Sequence, residues 1–505
     1  MNKKFYISTA IPYVNAAPHI GFALEIVLAD SLARYNRMLK KDVFFLTGVD
    51  EHGVKLFDTA KEAGIDVQEF ADMNAEKFKA LKEGLNLSND DFIRTTSDRH
   101  KRGAQKLWSK MFEKGDIYKD SYKGNYCSGC EAFILDKDLD GDGNCPVHKR
   151  KPKLLEEENY FFKLSKYSDK IKQLILSDEL LIIPDARKNE MLNIIGEEGL
   201  FDVSFSRPKN ILPWGINVPN DDSQVMYVWC DALSNYITAL GYEKETENYK
   251  KFWPGDVHLI GKDILRFHAG IWIGMLLSAG IKIPKAIYVH GFVTSEGQKM
   301  SKSIGNVVDP QEYVKKYGID ALRYYLVREI PTTDDGDFSH KRFLDVYNSE
   351  LANGLGNLLN RVLMMTERYC ESKVPKKNID KDMSEKISAI IARYQKSFEK
   401  FDLKFACENI AELINFGNKY IDDKKPWAMA KAGDMDGVSD VLFNLNSLLF
   451  LCAGMVYPII PQAALKIFKC FGIEKESDIY LGKFGEIESG LELKRPEILF
   501  PKIEE

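Results

Sequence analysis

At 505 residues the chain is long enough for several domains with substantial cores, and its formal net charge of −5 excludes a global pull toward nucleic acid. Any contact with a polyanion must come from local basic patches. The opening MNKKFYISTAIPY has too short an apolar run for a signal peptide, and no stretch reads as a membrane span. LLFLCAGMVYPIIP is short and interrupted by prolines, which predicts a buried bundle helix. The eight cysteines are scattered except for one cluster, which fits a reducing cytosol better than a disulfide framework.

Phe5 to Phe22, FYISTAIPYVNAAPHIGF, reads as a buried strand, a tight loop and the start of a helix that continues through LEIVLADSLARYNRML. A helix N-terminus offers N–H groups and a partial positive charge to a phosphate. Gly21 would allow close approach, and His19 stands where it can donate. A strand, loop and helix with one histidine is more often plain scaffold. DVFFLTGVDEHG is a second buried strand, ending in Asp50, Glu51 and His52. Strand ends are where ligands bind in open parallel sheets, so Asp50 is a candidate for holding an ammonium group; a capping or turn aspartate is the plain alternative.

From about 116 to 222 the alternation of strands and helices stops. Cys127 and Cys130 followed by Cys145 and His148 place four ligands on two tight turns, the arrangement of a closed, structural tetrahedral Zn²⁺ site. Between the pairs, Asp136, Asp138, Asp140 and Asp142 imitate the start of a calcium loop. The twelfth position, which needs a bidentate Glu, is Val147, so this segment reads as a solvated turn. In SFSRPKN, Arg207 is compatible with an ordinary surface charge.

From about 223 the strand and helix alternation returns in QVMYVWCDALSNYITAL, DVHLIGKDILRFHAGIWIGMLLSAG and AIYVHGFVT. Trp229, Tyr236 and His290 should cluster near the strand ends, where an aromatic-lined pocket suits an unbranched, polarizable side chain such as a thioether. Aromatics on strands are, however, usually core. AIYVHGFVT leads into Lys299-Met300-Ser301-Lys302-Ser303, whose two lysines on a Gly- and Ser-rich loop can reach a triphosphate and neutralise charge on a leaving pyrophosphate. From about 345 helical periodicity dominates, predicting an all-α domain of about five helices. Asn353, Asn357 and Arg361 recur at spacing four on one helical face, and Trp427 follows Pro426 at a helix edge. Exposed Asn, Arg and Trp suit unstacked bases of an RNA loop; a buried Trp is the equally simple alternative.

AIPYVNAAPHIG, TGVDEHG, the single zinc knuckle, YVWCDALSNY, GKDILRFH, YVHGFV, KMSKS, ELANGLGNLLNR and KKPW together resemble the methionyl-tRNA synthetases, a class I aminoacyl-tRNA synthetase family, over nearly the whole chain. Isoleucyl, valyl and leucyl relatives carry a large editing domain for which the insertion here is too short, and cysteinyl relatives keep their zinc in the amino acid pocket. The resemblance implies a Rossmann-type α/β fold whose parallel sheet is split by a zinc-binding connective insertion and followed by a helical-bundle anticodon domain. The expected division is a first catalytic half at 1–115, the insertion at 116–222, a second catalytic half at 223–325, a linker at 326–348 and the anticodon domain at 349–505.

The resemblance further implies activation of methionine by ATP, with Mg²⁺, to methionyl-adenylate, then transfer to tRNA(Met). Ile11, Tyr13, Asp50, Trp229, Tyr236 and His290 match the methionine pocket, with Asp50 holding the α-amino group and Trp229 closing over the side chain. His19, Gly21, Gly261, Asp263, Lys299 and Lys302 match ATP-site positions, with His19, Lys299 and Lys302 catalytic. Asn353, Asn357, Arg361 and Trp427 match the anticodon site. Cytoplasmic location is expected from the cysteine usage, and a monomer is expected since no appended module is evident. One departure stands out: the HIGH signature ends in Phe22, which cannot donate to a phosphate. A related nucleotidyltransferase for another small molecule and a non-catalytic RNA-binding relative are the competing readings. The helical domain with Trp427 argues against the first. Retention of His19, Asp50, Lys299 and Lys302 argues against the second.

Overall fold

The computed structural model describes residues 3–504 apart from 128–131, 135, 148, 301–305, 332 and 377, and at 122, 123, 132, 133, 137, 155–157 and 299 the backbone alone. Lys4–Thr9 forms β1, Ile20–Met38 helix α1, Asp42–Val49 β2 and Asp91–Arg94 β3. These pair in parallel with three later strands, Leu181–Ile183, Val257–Gly261 and Ala286–His290. The six-stranded order runs β3, β2, β1, Val257–Gly261, Ala286–His290, Leu181–Ile183. Strand order therefore reverses between β1 and Val257–Gly261, where Ile7 faces Val257 and Thr9 faces Leu259. That reversal leaves a crevice beyond the strand ends, the usual ligand position in such sheets. The strands are buried on both faces, which explains apolar runs such as FFLTGV without alternation. Leu181–Ile183 lies within the range read from sequence as insertion, yet forms the sheet's edge; three residues are too few to carry a strand signal of their own.

The insertion carries a four-stranded sheet, in the order Ala132–Ile134, Ile117–Cys127, Lys153–Phe162, Val203–Ser204. All its pairings are antiparallel, and Cys127 faces Ala132. The acidic segment behaves as a turn: the Asp140 carboxylate accepts from the backbone N–H of Asn144 at 2.8 Å and of Asp142 at 3.2 Å, and pairs with Lys149. An ammonium at that carboxylate opposes a calcium ion.

The C-terminal part packs five longer helices, Asn357–Cys370, Lys381–Glu399, Leu403–Lys424, Met435–Val456 and Pro461–Cys470. Met435–Val456 is long and apolar enough to cross a membrane by composition, but most of its side chains, from Val441 to Val456, are buried within the bundle. This bundle is joined to the sheet domain by a buried ionic hub. Arg323 donates to Asp30 Oδ2 on α1 at 2.7 Å, to Ile459 O at 2.7 Å and to Leu85 O at 3.0 Å. Arg34 Nε donates to the same Asp30 oxygen at 2.7 Å. Burial alone would raise the Asp30 pKa, but the two guanidiniums override it and hold it at about 2.

Candidate active site at the sheet switch point

His19 is the N-cap of α1: its Nδ1 accepts from Gly21 N at 3.0 Å. A ring nitrogen that accepts carries no proton, so the neutral imidazole holds its hydrogen on Nε2, which is left to donate outward. His19 presents an exposed face, yet burial of the rest of the ring lowers its pKa and favours that neutral form. A Cβ at position 21 would lie 2.9 Å from the His19 ring, so the cap requires glycine there. The first N–H groups of α1 are not open to a phosphate as the sequence suggested. Ile20 N donates to Val308 O at 3.1 Å, Gly21 N to His19, and Phe22 N to His19 O at 3.0 Å. The helix field and the His19 Nε2–H remain. The Ile20–Val308 bond also ties the start of α1 to the chain just beyond the signature loop. Of that loop, Lys299 has a described backbone, paired with Thr294, while Lys302 lies outside the described residues.

Phe22 turns away from polar work. Its ring packs edge-on against Phe78 at 5.2 Å, in an apolar cluster with Val14, Val49, Leu56, Ala71 and Ala75. The residue departing from the signature is thus an apolar anchor between α1 and the helix Val67–Lys79.

The loop after β1 is sewn to the end of β2. Asp50 N donates to Pro12 O at 2.9 Å, Val14 N donates to Asp50 O at 3.3 Å, and Tyr13 and Asp50 form an isolated parallel bridge. This pairing explains why AIPYVN and TGVDEHG act as one unit. Asp50 is 4% exposed, so a carboxylate there lies in a shielded wall rather than a solvent turn. Ile11, Tyr13 and Trp229 are half-buried on one apolar cluster whose interior includes Tyr236 and Phe267. Trp229 stacks face to face on Phe267, centroids 3.9 Å apart at 5°.

Tyr236 is buried, and its Oη lies 2.7 Å from His268 Nε2. His268 Nδ1 sits 3.0 Å from Ile264 O and must donate to that carbonyl, so Nε2 accepts and the tyrosine hydroxyl donates. Burial pushes His268 down to about 4 and Tyr236 far above its ordinary range, so both are neutral. Tyr236 also stacks on His258 at 4.1 Å, another neutral buried imidazole.

His290 ends the neighbouring strand opposite Gly261. Its Nδ1 donates to Gly291 O at 2.8 Å, and its Nε2 meets Glu25 Oε2 of α1 at 2.9 Å. Burial would lower the His290 pKa, but the Glu25 carboxyl wins and holds it above 6.5. Burial in turn pushes Glu25 up, so the pair keeps one proton between the two atoms. Gly261 ends the switch-point strand; a Cβ there would lie 2.9 Å from Asp263 Oδ1, whose residue is exposed.

Two groups were missed in the sequence. Arg207 is 3% exposed, not a surface charge. Its guanidinium lies over the rings of Tyr126 at 5.3 Å and Tyr227 at 4.9 Å and donates to Ser204 Oγ and Ser206 O. The second is Glu25, whose i+6 spacing from His19 carried no signal without the strand that delivers His290.

Of the expected zinc ligands, Cys127 and Cys145 are described and buried, at 3% and 1% exposure; Cys130 and His148 lie outside the described residues. The turn from Cys145 is closed by Cys145 N to Arg150 O and Lys149 N to Cys145 O.

On the helical domain Trp427 is 45% exposed, at a corner made by Lys425 in the left-handed region and Pro426 at the first helical position. Asn353 and Asn357 are exposed and Arg361 half-buried. Asn357 bonds Asn418 at 3.2 Å and Arg361 bonds Asp422 at 2.5 Å, so the polar face is shared with the helix Leu403–Lys424.

The family described as tRNA synthetases class I (M) matches residues 5–151 and 142–363, and the anticodon binding domain of methionyl tRNA ligase matches 373–505. Among curated proteins, the methionine–tRNA ligase of Thermotoga maritima is 44% identical over 99% of this chain and 80% of its own length. That of Brucella suis is 40% identical over 99% and 98%. The solved Mycobacterium tuberculosis methionyl-tRNA synthetase in complex with methionyl-adenylate superposes with a TM-score of 0.93 at 37% identity, over 99% of this chain and all of its own. The chain belongs to the methionyl-tRNA synthetase family of class I tRNA synthetases.

Proposed function

We propose that this chain is a methionine–tRNA ligase. It activates L-methionine with ATP to methionyl-adenylate and pyrophosphate, then passes the methionyl group to the 3′ end of tRNA(Met). The observation that supports this reading is the Tyr13–Asp50 bridge, which sets the shielded Asp50 beside the apolar cluster carrying Trp229 and Phe267, with the capped His19 on the same loop as Tyr13. The similarity to a solved enzyme holding methionyl-adenylate supports it.

In this reading Asp50 receives the α-amino group, Ile11, Tyr13 and Trp229 enclose the thioether, and Tyr236 and His290 bound its far end. The methionine carboxylate attacks the α-phosphorus and pyrophosphate leaves. The terminal hydroxyl of the tRNA then attacks the carbonyl carbon, and AMP leaves. The work of the protein is positioning and charge stabilisation. His19 Nε2–H and the field of α1 serve the phosphates, Gly261 and Asp263 the nucleoside side, and Lys299 and Lys302 the pyrophosphate. Mg²⁺ with the ATP would add charge neutralisation. Phe22 is not a substitute donor; the lysines and His19 take that load.

Cys127, Cys130, Cys145 and His148 would hold a structural zinc. The described pair fits, because Cys127 and Cys145 offer two thiols shielded from water, the donor type a closed zinc site needs. The metal would fix the tip of the insertion and takes no part in the reaction. Trp427, Asn353, Asn357 and Arg361 form the surface for anticodon bases. The five-part division of the chain given above, with Leu181–Ile183 returning from the insertion to the catalytic sheet, a cytoplasmic setting and a monomeric state complete the proposal.

ATP–pyrophosphate exchange with each of the twenty amino acids, followed by tRNA charging, tests it. Exchange with methionine alone and charging of tRNA(Met) are expected. Exchange with a different amino acid would sink the pocket assignment, and no exchange with any would favour the non-catalytic RNA-binding reading.

A further inference from the structure

Behind the methionine pocket lies a buried His–Asp–His group that the proposed chemistry does not use. Asp231 is fully buried on the short helix Val228–Ala232. Its Oδ2 lies 2.6 Å from His52 Nδ1 and its Oδ1 lies 2.7 Å from His100 Nε2. His52 and His100 are themselves 3% and 0% exposed. His100 Nδ1 meets Thr238 Oγ1 at 2.8 Å, so the group joins the chain leaving β2 to the helices Asp98–Glu113, Val228–Ala232 and Asn235–Thr238. Burial would raise the Asp231 pKa, but the two imidazoles reverse that and hold it at about 2, so it stays anionic at any working pH.

The positions matter more than the charge. Asp231 is two residues from Trp229, on the same helix. His52 is two residues from Asp50, on the chain leaving β2. The His52 segment is held again from outside: Trp214 Nε1 donates to Glu51 O at 2.6 Å, and its ring meets His52 edge-on at 5.5 Å. Glu51 Oε1 accepts from Arg94 Nε at 2.6 Å. The wall bearing Asp50 is therefore braced from three directions. The helix bearing Trp229 is tied to that wall through one carboxylate.

We infer that Asp231 is a positioning residue for methionine. By accepting N–H from both His52 and His100, it sets the separation between the Asp50 wall and the Trp229 lid. The inference rests on the assignment of Asp50 and Trp229 to the methionine pocket. A loosened tether misplaces the two groups relative to each other and leaves the ATP side, built on α1 and Val257–Gly261, in place.

The test uses the full chain, with KM for methionine and for ATP measured separately by pyrophosphate exchange. Asp231→Ala and His52→Ala should each raise the methionine KM at least about tenfold and leave the ATP KM within about twofold; this split marks lost binding of one substrate. The double variant should be no worse than the poorer single, because both remove one tether. Asp231→Asn keeps volume and one acceptor, should raise the methionine KM less, and stands in if the alanine variants fail to fold. Equal rises in both KM values, additive single effects, or an unchanged methionine KM in Asp231→Asn and Asp231→Ala would overturn the inference. Trp229→Ala is run in parallel. If it too leaves the methionine KM unchanged, the pocket assignment itself has failed; if it raises that KM while Asp231 variants do not, only the tether falls.

Discussion

His19 has two separable tasks, and one pair of substitutions divides them. Its Nδ1 caps α1 through Gly21 N at 3.0 Å, while its Nε2 carries the hydrogen that the proposed phosphate role needs. His19→Asn keeps a good cap, because the Asn Oδ1 can occupy the acceptor position, but it is too short to deliver a hydrogen where Nε2 stands. His19→Ala removes both. Loss of a cap costs about 1 kcal/mol of stability, a modest amount here because 16 residues of α1 are buried and hold the helix from all sides. Loss of one donor aimed at developing phosphate charge costs about 2.7–4 kcal/mol of activation energy, or roughly 10²–10³ in rate. Both variants should therefore lose roughly 10²–10³ in methionine-dependent pyrophosphate exchange, while only His19→Ala unfolds at lower denaturant concentration. Exchange assays with urea unfolding on the same preparations check this. If His19→Asn retained exchange within a few-fold of the parent, the Nε2 role would be refuted and His19 would be a cap alone.

Acid should destabilise the chain through its buried imidazoles. His268 sits at about 4 against an ordinary 6.5, so the unfolded chain binds its proton more tightly. Its contribution is complete above pH 6.5 and is lost as pH falls toward 4, by up to about 3 kcal/mol; His258 adds to the same trend. Urea midpoints between pH 7 and 4 report it, and His268→Gln should flatten the slope. Trp427→Ala, removing an exposed ring, should weaken tRNA charging by about 1–3 kcal/mol, one stacked base, with pyrophosphate exchange untouched. Equal loss of exchange would contradict an anticodon role. Cys145→Ser should abolish a zinc content of one per chain, measured by atomic emission, and loosen the insertion. A parent free of zinc would refute the site. Phe22→His should leave exchange within about tenfold of the parent, about 1.4 kcal/mol, because position 22 packs on Phe78. A gain of several orders of magnitude would show the parent site to be incompetent.

Local chemistry carries far in this protein. The apolar run and the break at Pro12 and Pro18 are enough to place β1 and α1, and the spacing of the cysteine pairs is enough to propose a zinc knuckle. Helical periodicity after about 345 is enough for the bundle, and a π-helical stretch, Tyr347–Gly356, does not take Asn353 off the surface. These signals are visible because each arises from neighbours within a turn or a strand. What the chain order hides is everything decided by partners far apart. Arg207 reads as a surface charge until Tyr126 and Tyr227 close over it. The N–H groups of α1 read as open until Val308 arrives from beyond the signature loop. Phe22 reads as a lost donor until Phe78 receives its ring. Asp231 draws no notice until His52 and His100, from two other elements, converge on it. Strand order, and with it the crevice, is equally invisible, because parallel pairing joins residues such as Ile7 and Val257. Burial and pKa belong to these long-range contacts. Local sequence therefore proposes groups that a site of this kind would use, and the tertiary structure decides which of them are neutral, which are tethered and which are buried, and adds those, such as Glu25 and Asp231, that no local pattern marks.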